Sequence, residues 1–245
     1  MIIRDSGFII SQKKFSENLI LINILSKNNG LIKGLSRIQK KKKFILFENV
    51  EFNLRLKNLD NLGFFNIETN YNLFDFNEEF LSLLIKASIA ELCTMFLPTN
   101  EQNVDIYNDV TKIFHYLSEN ASLDVLEKCK EYILFEVKFL ENIGYGLSYS
   151  KCVVTGSTKN LKYISPKTGC AVTGDEGKPY KSKLFILPSF FLSKKCLLDS
   201  IELNEGFRIT THFLNKAKNG MSINNNKKMI FREEILNKLN ERPKF

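Results

Sequence analysis

The period of the apolar residues changes once along this chain, at Asn77, and that change limits what each part can become. Before it lie short stretches rich in Ile, Leu, Phe and Val, and in the fourth of them apolar residues clearly alternate with polar ones. Val50, Phe52, Leu54 and Leu56 share one face, and Glu51, Asn53, Arg55 and Lys57 the other, which is the two-residue period of a half-buried strand. Four further apolar stretches precede Asn77: Ile2–Phe15, Asn18–Ser26, Gly30–Arg37 and Leu62–Leu73, with Phe44–Lys57 between the last two. Polar or glycine-bearing breaks separate them at Ser16-Glu17, Lys27–Gly30, Lys40–Lys43 and Asn58–Asn61. Five short strands with no helix long enough for a parallel crossover predict an OB-like antiparallel β-barrel over residues 1–75.

After Asn77 the period becomes helical. Asn77 followed by Glu78-Glu79 reads as a capped helix start, with acids at the positive end of the dipole. From Phe80 to Leu97 apolar residues run nearly all round, which predicts a buried helix ended by Pro98. A second helix is expected over about 103–119. A third is expected over about 123–143, capped by Ser122 and ended by Gly144. Residues 145–192 read as a loop-rich insert, followed by helices at about 202–218 and 227–240. The fold class is therefore α+β, a barrel over 1–75 and a helical domain over 76–245 that carries the insert.

Charge follows the same divisions. Residues 1–75 hold 12 Lys/Arg against 7 Asp/Glu, residues 76–150 hold 5 against 12, and residues 151–245 hold 18 against 8, so the thirds carry +5, −7 and +10. A compositional preference for lysine would spread it evenly. An acidic middle between basic ends instead points to a polyanionic partner for the ends. No stretch approaches the apolar length of a membrane helix, and Met1–Gly7 lacks the basic and apolar regions of a secretion signal. The five cysteines are odd in number and scattered, unlike a disulfide framework. A reducing, cytoplasmic setting is expected.

The densest cationic feature is Lys33, Arg37 and the run Lys40, Lys41, Lys42 and Lys43, followed by Phe44. It falls on the third strand and the connection after it, where an OB barrel meets single-stranded nucleic acid. Cations there would neutralise phosphates while Phe44 or Phe47 offers a stacking face. The bland alternative is a solvated lysine loop.

A second feature is a repeated pentapeptide. Cys152-Val153-Val154-Thr155-Gly156 is echoed by Cys170-Ala171-Val172-Thr173-Gly174. Two Cys-x-x-Cys-Gly knuckles make a zinc ribbon, but here Thr155 and Thr173 stand where each second thiolate would be. A hydroxyl is a poor zinc ligand, so a degenerate, zinc-ribbon-like insert without metal or other cofactor is expected. Chemistry finds little else. His115 and His212 fall on expected helices, no phosphate-cradling glycine loop or nucleophile–base set is present, and the acids from Glu127 to Glu141 read as a solvated face. A non-enzymatic chain is expected.

The insert residues Lys151-Cys152, Leu161–Gly169, Gly177–Tyr180 and Leu184–Pro188 resemble those of the RecO recombination-mediator family. Gly7–Ile10, Asn18–Leu21, Lys27–Gly34 and Ile143–Leu147 are similar to its opening strands and to the helix end before its insert. The resemblance implies a protein that binds single- and double-stranded DNA and anneals complementary strands. It also implies contact with the C-terminal tail of single-stranded-DNA-binding protein and, with RecR, placement of RecA on coated DNA. The family's basic barrel positions carry over to Lys33 and Arg37, and its zinc ligands only to Cys152 and Cys170. Another OB-type RNA or ribosome binder would share the barrel but has no reason to carry the knuckles. A protein-only scaffold would lack salt-dependent affinity for DNA.

Overall fold

The computed structural model describes residues 1–38, 44–58, 62–68, 79–120, 122, 124–193, 196–224 and 227–241. The chain divides into two compact units, Met1–Lys112 and Ile113–Phe245.

The first unit opens with five strands, β1 (Ile2–Lys14), β2 (Leu19–Ser26), β3 (Gly30–Arg37), β4 (Asn49–Arg55) and β5 (Gly63–Glu68). They close into a barrel in the order β1-β2-β3-β5-β4, with β1 antiparallel to β4 and β3 parallel to β5. This is the OB arrangement that the strand count predicted. Ile9, Ile22, Ile24, Ile32, Val50, Phe52, Leu54, Phe65 and Ile67 fill the interior. Phe52 and Phe65 meet edge to face, with ring centroids 5.5 Å apart, a geometry aromatic pairs favour. Gly34 and Gly63 stand opposite each other on β3 and β5. A Cβ on Gly34 would lie 2.7 Å from the Phe65 ring and one on Gly63 2.7 Å from Leu54, so the two glycines let these side chains into the barrel.

The β2–β3 turn is tied down by Asp5 of β1. Its carboxylate accepts from the Ser26 hydroxyl, from Asn28 N at 2.9 Å, and from Asn28 Nδ2 and Asn29 Nδ2 at 2.8 Å. Gly30 ends the turn at φ +67°, in the left-handed region that glycine enters without strain.

The fourth strand is shorter than the expected Phe44–Lys57. A turn at Leu46-Phe47, with Phe47 at φ +69°, precedes the strand, so the regular ladder begins at Asn49 although Phe47 and Glu48 already exchange backbone hydrogen bonds with Ile9. The fifth strand is described as Gly63–Glu68 of the expected Leu62–Leu73; residues 69–73 and the Asn77 cap lie outside the described residues. The helix α1 (Phe80–Phe96) buries eleven of its seventeen residues, as its near-uniform apolarity required. The first turns of α2 (Val104–Glu119) pack on the barrel, where the Tyr107 ring lies 5.7 Å from that of Phe8 and its hydroxyl accepts from Asn49 Nδ2 at 3.3 Å.

In the second unit, α3 (Val125–Asn142) is capped by Asp124, whose side chain accepts from Val125 N at 2.8 Å. The expected cap, Ser122, lies too early for this start. The insert is more ordered than a loop-rich reading allowed. It holds a small antiparallel sheet, β7-β6-β8, made of β6 (Leu161–Ile164), β7 (Ala171–Thr173) and β8 (Phe185–Ile186). The short helices α4 (Gly174–Gly177) and α5 (Ser189–Leu192) flank it. Then come α6 (Ser200–Gly220), capped by Asp199, and α7 (Ile230–Asn240). These start two residues before and three residues after the expected positions.

One acid departs from the solvated face expected for Glu127–Glu141. Glu136 is fully buried and binds Arg232 of α7 and Thr210 of α6. Helical spacing places Glu136 among other acids but does not show that α6 and α7 cover its side of α3. Among the described residues no helix is long and apolar enough to cross a membrane.

Candidate nucleic-acid interface

Because strand side chains alternate, burying Ile32, Gly34 and Ser36 of β3 in the barrel turns Lys33, Leu35 and Arg37 to the outer side, where Leu35 is itself buried between the two exposed cations. Lys33 and Arg37 are exposed. The register carries this face across the neighbouring strands. Leu35 pairs with Phe64 of β5, and Phe64 stands directly opposite Arg55 of β4. On the other side, Leu35 pairs with Leu21 of β2, which pairs with Lys13 of β1. Lys13, Lys33, Arg37 and Arg55 are all exposed and form no ion pair among the described residues. Among the described residues the outer wall therefore presents three cations without an ion pair, Lys33, Arg37 and Arg55, on the strands flanking one half-exposed phenylalanine ring, Phe64, at 49% exposure, with Lys13 three strands away.

At the same end of the barrel, Phe15 and Ile38 are also exposed. The chain there is closed by hydrogen bonds from Phe15 N to Leu19 O and from Ile38 N to Asn18 O, both 2.9 Å. Lys40, Lys41, Lys42 and Lys43 lie outside the described residues. Phe44, expected as a stacking face, packs instead against the barrel core, and Phe47 is half-buried, its N–H bonded to Ile9 O at 2.7 Å. Sequence reasoning missed Phe64 and Arg55. The alternation that places Arg55 outward was legible, but the register that sets Phe64 opposite it was not.

The face has a boundary. Two residues along from Arg55 and Phe64 come the paired Asn53 and Asn66, and two further along the paired acids Glu51 and Glu68. Like charges directly opposite are unfavourable in a sheet, and a polyanion would be repelled there.

In the insert, the first pentapeptide forms a turn and the second forms β7, and the two are joined by Val153 N bonding Ala171 O at 2.9 Å. Cys152 Sγ is buried between them, accepting from Thr173 N at 3.4 Å with Thr173 Oγ1 at 3.9 Å. Burial pushes the Cys152 thiol up, but hydrogen bonds from the Thr155 hydroxyl and from the backbone N–H groups of Thr155, Thr173 and Val154 outweigh it and lower it to about 6. Thr155 and Thr173 thus gather around one sulfur. The Cys170 sulfur is directed to Thr168 O, 3.7 Å away. One thiolate and two hydroxyls do not fit a tetrahedral zinc site, and among the described residues no three His, Cys, Asp or Glu side chains cluster as metal ligands. None of the five cysteines is in a disulfide.

His115 faces solvent beside Glu119. His212 donates from Nε2 to Pro166 O at 3.0 Å and lies edge-on to the rings of Phe185 and Phe213. Phe185, Phe207, His212 and Leu236 line a groove of about 410 Å³ with Arg208 at its edge, the guanidinium 5.3 Å from the Phe185 ring centre.

A family model described as the recombination protein O C-terminal region matches residues 77–217. The chain is 32% identical to the DNA repair protein RecO of Rickettsia felis over 97% of its own length and 99% of that relative. It is 33% identical to the corresponding protein of Rickettsia akari over 88% and 90% of the two chains. For that of Orientia tsutsugamushi the identity is 30%, over 87% and 89%. Barrel, helices and knuckle insert follow one another as the resemblance implied, and the chain belongs to the RecO family of DNA repair proteins.

Proposed function

We propose that this protein is a recombination mediator that holds single-stranded and duplex DNA by charge and anneals complementary strands without a covalent step. The observation that carries this reading is the outer barrel face, where Lys33 and Arg37 stand exposed on β3 with exposed Arg55 two strands away on one side and Lys13 two strands away on the other, none of them in an ion pair among the described residues. The Lys40–Lys43 run extends the same cationic stretch of sequence. Screening two phosphate backbones lowers the repulsion that opposes pairing, and base pairing supplies the rest of the driving force. The insert keeps its turns through hydrogen bonds to the Cys152 sulfur and holds no zinc.

The partner reading is that the protein acts on strands covered by single-stranded-DNA-binding protein and, with RecR, assists RecA. A tail that is acidic with an apolar end needs a cation beside an apolar pocket. The groove of Phe185, Phe207 and Leu236 beside Arg208 supports that reading. Annealing of complementary strands coated with the cognate binding protein tests the function. The reading expects the coated strands to pair faster with this protein than without it, and no acceleration would overturn it. Stronger binding to structured RNA than to single-stranded DNA would favour an RNA-binding role instead.

A further inference from the structure

We propose that Phe64 is a base-stacking platform, so that the barrel recognises the unpaired bases of a single strand as well as its phosphates. This rests on the reading that the outer barrel face is where DNA is held, and it names what that face recognises.

Phe64 is an outward-facing aromatic side chain of β5, a strand paired on both sides within a closed barrel. Its neighbours Phe65 and Ile67 are buried in the core, whereas Phe64 is half exposed and takes no part in that packing. Single exposed apolar residues are common and need no explanation by themselves. What distinguishes this ring is its surroundings. Arg55 stands directly opposite on β4, where paired side chains lie about 5 Å apart at Cβ. Leu35 lies beside it on β3, with exposed Lys33 and Arg37 two residues to either side.

A ring bordered by cations on both neighbouring strands meets the two requirements of single-strand binding. The charges follow the backbone, and the π-face accepts a base of any identity. A duplex cannot use the ring, because its bases are already stacked on one another. The same two strands also fix how far the bound DNA travels. Beyond Asn53 and Asn66 the paired acids Glu51 and Glu68 oppose a phosphate. The bound DNA therefore crosses β3, β5 and β4 at the Arg55–Phe64 level and does not continue toward Glu68.

The test compares a thymidine homopolymer with an abasic strand of the same length, each titrated with the full-length protein and with Phe64→Ala, Phe64→Leu and Phe64→Tyr. Stacking predicts that the unsubstituted protein prefers the homopolymer. Phe64→Ala and Phe64→Leu should both lose that preference, weakening homopolymer binding by about tenfold, mid-range for one base–aromatic contact. Phe64→Tyr should keep it. Affinity for the abasic strand, affinity for duplex and the dependence on salt should be unchanged in all three. Phe64→Leu retains the apolar side chain, so it separates loss of the π-face from loss of packing. Homopolymer binding unchanged in Phe64→Ala would overturn the stacking platform and leave the charge reading standing. Equal weakening toward homopolymer, abasic strand and duplex would also overturn it. If the unsubstituted protein bound no strand in a salt-dependent way, the underlying reading itself would fail.

Discussion

Arg232 Nε lies 2.6 Å from Glu136 Oε1, joining α7 to α3 across ninety-six residues of sequence, and both side chains are buried. The guanidinium also donates from Nη2 to Glu136 Oε2 at 3.1 Å and to Thr210 Oγ1 at 2.8 Å, and from Nη1 to Thr211 Oγ1 at 2.7 Å. It lies 5.3 Å above the Phe207 ring. A buried pair contributes little over an apolar replacement, but removing one partner leaves an uncompensated charge. Glu136→Gln or Arg232→Met alone should destabilise the second unit by about 3–5 kcal/mol. The joint change Glu136→Leu with Arg232→Met should recover much of that loss. Denaturant unfolding of the three variants checks this; equal loss in single and joint variants would contradict it.

The Asp5 carboxyl ties β1 to the β2–β3 turn. Burial pushes it up, yet hydrogen bonds from Ser26, Asn28, Ser6 and Asn29 together hold it below the usual carboxylate range. A carboxyl lowered on folding contributes stability above its unfolded pKa, and that contribution is lost as pH falls through the folded value. Asp5→Asn should therefore lower the melting temperature at neutral pH, with the difference from the unsubstituted protein shrinking as the solution is acidified. A difference that does not change with pH would refute the ionic role.

At the knuckles, elemental analysis of protein purified without chelator should find no stoichiometric zinc. Cys152→Ser keeps an acceptor for Thr173 N and should cost about 1 kcal/mol, an ordinary point-mutation effect. Cys152→Ala leaves that donor unsatisfied in a buried site and should cost about 1–3 kcal/mol. The Cys152 thiol is lowered to about 6, so its contribution is complete only above the unfolded thiol range and disappears as pH falls through about 6. Unfolding measured across that window should show the deficit of Cys152→Ala shrinking toward the acid end, where only the lost acceptor and packing remain. One zinc per chain would overturn this description.

The barrel was legible because short stretches rich in Ile, Leu, Phe and Val are separated by polar breaks, and because one of them, β4, carries a clear two-residue alternation. Helix positions were legible to within a few residues from the 3.6 period. What could not be read was whatever depends on two distant segments meeting. Glu136 looked like its solvated neighbours because nothing in α3 announces Arg232. Phe44 looked like a stacking face because it follows the lysine run, yet the turn at Phe47 folds it onto the core. Phe64 acquires meaning only through the register that brings Arg55 opposite it. Cap positions failed for a different reason: Ser122 and Asp124 both suit a helix start, and the backbone turns only at the second.

DNA held on the barrel by charge must bind with an affinity that falls with salt, so the salt dependence of single-strand binding is the most direct test. Each phosphate left without its cation should reduce the slope of log affinity against log salt by about 0.7. Changing Lys33 and Arg37 to Ala should therefore flatten the slope by roughly one to one and a half units, and adding Lys40–Lys43→Ala should flatten it further. Glu131→Gln with Glu141→Gln, on the acidic α3, should leave it unchanged. A barrel variant that binds single strands with the slope of the unsubstituted protein would contradict the account and send the DNA site elsewhere on the chain.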